Sequence, residues 1–110
     1  MAFREVVPLP THDQLRDYIV RTLCEHNRWE PGQTHLELHP VHRGQRCCGA
    51  FYFLHGPHRR TKCHAVWAGD EARVLFYDSA GRRFAEVRLS DAPDPANLPT
   101  APPGESRRAA

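Results

Sequence analysis

The stretch CCGAFYFLHGPHRRTKCHAVWAGDEARVLFYDSAGRRFAEVRL, residues 47–89, decides the fold. It holds alternating segments at 47–55, 61–68, 72–78 and 82–89. Between them stand His55-Gly56-Pro57-His58, Gly69-Asp70 and Asp78-Ser79-Ala80-Gly81. Gly frees the backbone, Pro fixes φ, and Asp and Ser bond their own backbone, so each cluster turns the chain for its own reason. Connections this short leave no room for crossover helices, which makes the strands antiparallel.

Alternation sets the register. We pair Phe53 with Cys63 and Phe51 with Ala65, then Ala65 with Val74 and Cys63 with Phe76. Phe76 in turn meets Ala85, and Val74 meets Val87. One face then gathers Phe51, Phe53, Cys63, Ala65, Trp67, Ala72, Val74, Phe76, Ala85, Val87 and Leu89, all small or apolar. A slip of one residue would mix the faces. The opposite face is expected to carry Tyr52, Leu54, His64, Val66, Leu75, Tyr77 and Phe84, with Lys62, Arg73, Glu86 and Arg88 among them. A water-facing side is normally polar. This one is half apolar and aromatic, which marks it as a candidate contact surface.

Upstream, Thr11 and Gln14 form a capping box, and Asp13 and Asp17 place negative charge where a helix begins. Leu15, Tyr18, Ile19, Thr22, Leu23 and His26 follow a 3.6-residue period. The helix is expected over 12–27, with Pro31-Gly32 beyond its end. The fold class is therefore α+β: one N-terminal helix packed on a four- to five-stranded antiparallel meander sheet, residues 35–38 being the fifth, edge strand. Residues 1–10 are expected as an extended arm, 11–92 as the single domain, and 93–110 as a flexible Pro-rich tail.

A chain of 110 residues is one small domain. It cannot hold two domains, a doubly wound α/β fold or a barrel around a large substrate. Fifteen Lys and Arg against thirteen Asp and Glu give a net charge of +2, too little to name a polyanion. The N-terminus lacks an apolar run and a cleavage pattern, so no secretory signal is expected, and no stretch is long enough to span a membrane. Without a signal, Cys24, Cys47, Cys48 and Cys63 are expected as free thiols in a cytoplasmic protein.

Chemistry-bearing residues do not form a compact motif. His39, His42, Cys47, Cys48, Cys63 and His64 could ligate zinc by type, but there is no C-x-x-C spacing. Cys63 and His64 are strand neighbours whose side chains diverge. Cys48 and His64 are expected on one face, where a thiolate–imidazole pair is conceivable, but no Asn or Asp orients the imidazole. Glu37 and Glu86 lack a paired-carboxylate pattern, and no Gly-rich loop precedes a helix. No catalytic residue, metal ligand or cofactor is assigned.

The expected function is a non-enzymatic protein-interaction or regulatory module. It would act through Tyr52, Leu54, His64, Val66, Leu75, Tyr77, Phe84, Arg73 and Arg88, with a homodimer or another protein as partner. The alternative is single-stranded RNA or DNA on the same face. Tyr52, Tyr77 and Phe84 would be its stacking platforms, and His58-Arg59-Arg60, Lys62, Arg73, Arg82-Arg83 and Arg88 its positive charge.

Overall fold

The computed structural model describes residues 3–58 and 61–98. The elements are β1 (Phe3–Pro8), α1 (His12–Asn27), β2 (His35–Arg43), β3 (Arg46–His55), β4 (Lys62–Ala68), β5 (Arg73–Tyr77) and β6 (Arg83–Asp91). The strands form one six-stranded sheet in the order β1-β6-β5-β4-β3-β2. All neighbours are antiparallel except β1, which lies parallel to β6. The class is α+β, with one helix on one face of a mixed sheet. The expected N-terminal arm is a strand at the sheet edge, and the expected fifth strand runs on to Arg43.

Helix α1 begins and ends where its sequence dictates. The Thr11 side chain accepts from the Gln14 backbone N–H at 3.1 Å, and the Thr11 N–H donates to Gln14 Oε1 at 3.2 Å. Its end is closed by Arg28 in the left-handed region, φ 60°, with the Trp29 N–H reaching back to Cys24 O at 2.9 Å. Leu15, Ile19, Leu23 and Cys24 are buried. The helix follows β4: the His12 ring meets Trp67 edge-on, and Asn27 Nδ2 donates to Cys63 Sγ at 3.3 Å.

The helix-covered face carries Ala50, Tyr52, Leu54, Cys63, Ala65, Trp67, Val74, Phe76, Ala85, Val87 and Leu89, all buried. On β3 this differs by one residue from the alternation-based register. The observed pairs are Tyr52 with Ala65, Phe53 with His64 and Leu54 with Cys63. Tyr52 and Leu54 therefore face the helix, and Phe51 and Phe53 the other way. The cause is the β3–β4 connection, which closes with Gly56 N–H on Thr61 O at 2.9 Å and is one residue longer than the expected register requires. Gly56 is needed there, since a Cβ would stand 2.5 Å from the Trp29 ring. Between β4 and β5 the pairing is displaced by two residues, Ala65 with Phe76 and Trp67 with Val74, which preserves the faces. Ala72 lies in the turn rather than on a strand, at φ 52°.

Phe84 is also reassigned. The register shifts between Phe76 and Tyr77, so that Phe76 meets Ala85 but Tyr77 meets Arg83. A bulge sets two residues of one strand against one of the other and re-aims a side chain. Phe84 accordingly stacks on His26 of the helix, with ring centroids 3.6 Å apart.

The ordered body extends past the expected boundary at 92. Pro93 and Leu98 are buried, and Asp94 O lies 3.0 Å from His12 Nε2. The rest of the expected tail, 99–110, lies outside the described residues. At the free edge, β2 carries Pro40, which cannot donate to another strand, and a bulge at Val41/His42. Both features discourage edge-to-edge pairing.

Candidate docking face of the sheet

The uncovered face is a grid of cross-strand rows. Glu37, Phe53, His64, Tyr77 and Arg83 form one row, and His39, Phe51, Val66, Leu75 and Glu86 the next. Val41, Gly49, Ala68, Arg73 and Arg88 form a third, and His35, His55 and Lys62 flank the first on its other side. Directly opposed residues on one face are close enough to interact, so each row is a physical ladder.

The ladder is aromatic at its centre. His64 stacks on Tyr77 with centroids 4.6 Å apart and planes 7° from parallel. Phe51 is parallel to His64 at 6.5 Å, and Phe53 lies tilted 5.6 Å from it. His39 meets Phe53 edge-on at 5.4 Å. The 4.6 Å spacing is close to the separation of adjacent strands. The rings therefore use their faces on one another. Phe51, Phe53, Val66, Leu75 and Tyr77 are all half-buried with no element above them among the described residues.

Charges lie at two corners. At the β2 corner Glu37 Oε1 is 2.8 Å from His55 Nε2, and Glu37 Oε2 is 3.5 Å from His39 Nε2. The His55 hydrogen bond holds the Glu37 carboxyl below its ordinary range. Lys62 Nζ sits 5.3 Å above the Phe53 ring. At the opposite corner Arg73 pairs with Glu71 at 2.6 Å and Glu86 at 2.9 Å. Burial, and then the charge of Lys62, push the His64 imidazole below its ordinary value.

Of the residues expected to form the surface, His64, Val66, Leu75, Tyr77, Arg73 and Arg88 share this face. Tyr52 and Leu54 are core residues, and Phe84 packs under the helix. Phe51 and Phe53 take their place, together with Glu37 and His39 from β2. Turn length was the missed signal: counting inward from Gly56 and Thr61 gives the observed β3 faces.

The other candidate chemistries are dispersed. Cys63 is buried under α1 and burial pushes its thiol up to about 12, whereas His64 is on the far side of the sheet. His64 pairs with Phe53, and Cys48 Sγ donates instead to Val41 O at 3.6 Å, so the conceivable Cys48–His64 pair does not form. Among the described residues, no group of three or more His, Cys, Asp or Glu side chains is arranged to hold a metal ion. On the helix side, Tyr18, Arg21, His26 and Phe84 line an open cleft of about 620 Å³. Its groups bond one another: Tyr18 donates to Glu5 at 3.2 Å, Arg21 lies over Tyr18, and His26 stacks on Phe84. Among the described residues no helix is long and apolar enough to cross a membrane. No protein-family model, curated protein or solved structure matches the chain.

Proposed function

We propose that the protein is a non-enzymatic interaction module whose uncovered sheet face docks another protein surface. The observation that carries this is the Phe51–Phe53–His64–Tyr77 ring cluster, half-buried by its own contacts and covered by no further element among the described residues. An apolar centre with charge confined to the rim is the anatomy of a protein interface. Ring faces already stacked at 4.6 Å are poorly placed to receive nucleobases. The rim also mixes signs: Glu37 stands near Lys62 at one corner, and Glu71 with the buried Glu86 pairs with Arg73 at the other. A surface for a polyanion would concentrate positive charge instead.

Single-stranded nucleic acid is the second reading, favoured by Lys62 above the Phe53 ring and by Arg88. The test is site-specific photocrosslinking in the expressing cell. A benzophenone side chain at Phe53 is compared with one at Arg16 on the exposed side of α1. Discrete protein adducts at position 53, absent at position 16 and lost when Val66→Arg is added, are the expected result. Equal or absent adducts at both positions contradict protein docking. Oligonucleotide binding that weakens steeply with salt would favour the second reading.

A further inference from the structure

We propose that the partner of the open face is a second copy of this chain, packed sheet on sheet about a two-fold axis that runs along β4. The proposal rests on the docking reading above and adds the identity and orientation of the partner. A two-fold contact must be self-complementary: whatever β2 presents has to suit β6 of the other copy. The rows meet that condition. Reversing strand order about β4 lays β2 over β6, β3 over β5 and β4 over itself.

In the central row His39 then faces Glu86, Phe51 faces Leu75, and Val66 meets its own equivalent on the axis. In the row with the ring ladder, Glu37 faces Arg83, Phe53 faces Tyr77, and His64 meets its equivalent. In the third row Arg73 faces Gly49, which has no side chain, and Arg88 faces Val41. Only Lys62, at the end of β4, meets its own equivalent as a like charge; the exposed carboxylate of Glu37 opposes Arg83, while Glu86 stays bonded to Arg73 of its own chain. Aligned sheets cross at about 30°, which displaces the outer strands by roughly 5 Å, within the reach of Glu and Arg.

The area is also adequate. The five strands that overlap, β2 to β6, give at their usual spacing and length a face of roughly 600 Å² per copy, which matches the lower end of specific interfaces at about 1,200 Å² in total. The edge at β2 carries Pro40 and a bulge, which discourages growth by strand addition on that side.

The experiment is sedimentation equilibrium on the full chain and four variants, with far-UV circular dichroism confirming that each is folded. The wild type is expected to be dimeric at tens of micromolar. Val66→Arg, which brings two Arg together on the axis, is expected to leave only monomer. Glu37→Arg and Arg83→Glu each raise the dimer dissociation constant about tenfold, since every substitution acts twice across the axis. Combining Glu37→Arg with Arg83→Glu exchanges the two signs and restores most of the affinity. A wild-type monomer at these concentrations overturns the second-copy proposal. If position 53 still gives adducts with a different protein, the docking reading survives that failure; if it gives none, both fall. Dimerisation with no rescue in the double variant overturns the proposed orientation.

Discussion

His64 occupies the middle of the ring ladder, between Tyr77 on one side and Phe51 and Phe53 on the other. The charged groups around it are Lys62 on its own strand, Glu37, His39 and His55 toward β2, and Arg73 with Glu86 beyond Leu75. Burial and Lys62 lower its folded pKa, so the folded state favours the neutral imidazole. In the unfolded chain the ring takes a proton near its ordinary value of about 6.5. Stability from neutral His64 is therefore complete above that pH and is lost as pH falls toward the lower, folded pKa. Urea unfolding between pH 7.5 and pH 5 should show the wild type losing more stability than His64→Asn. Glu37 does not confuse that window, because its lowered carboxyl pKa places its own loss at more acidic pH. Identical pH dependence in the two proteins would show that His64 is not desolvated by the ladder.

Among the elements, α1 was legible to the residue because its signals are local. The Thr11–Gln14 box fixes the start, and the Leu15, Ile19 and Leu23 spacing fixes the buried stripe. Strand β3 was not, because its apolar run Ala50-Phe51-Tyr52-Phe53-Leu54 offers an aromatic to either face. Only the length of the loop to β4 decides which aromatics go inside. Substitution separates the two registers directly. Tyr52→Ala should cost about 3 kcal/mol or more by opening a cavity under α1. Phe53→Ala, on the open face of the isolated chain, should cost much less. The expected register would have reversed that order, so denaturant midpoints for the two variants decide between them. The β6 bulge was equally hidden, since nothing in Arg83-Phe84-Ala85 announces the extra residue that turns Phe84 toward His26.

For the molecule as a whole, the meander, its helix and the start of the β2 edge strand were legible, and the β1 edge was not. Strand β1 pairs with β6, Phe3 with Ala85 through Val7 with Leu89, a contact between opposite ends of the chain. Local alternation carries no trace of such a pairing. The segment through Leu98 looked like linker because Pro dominates it, yet Pro93 and Leu98 supply apolar surface and Asp94 anchors His12. The candidate site was legible as a face and half legible as residues: His64, Val66, Leu75 and Tyr77 followed from alternation, while Phe51 and Phe53 required the turn. A second copy of the chain is proposed to cover that face. Carbene footprinting of the purified chain, from sub-micromolar to tens of micromolar, tests it most directly. Phe51, Phe53, Leu75 and Tyr77 are expected to lose labelling together as concentration rises, while exposed Val6 at the β1 edge and Arg16 on α1 do not change. Constant labelling of the four across the series, or protection appearing on α1 instead, would contradict it.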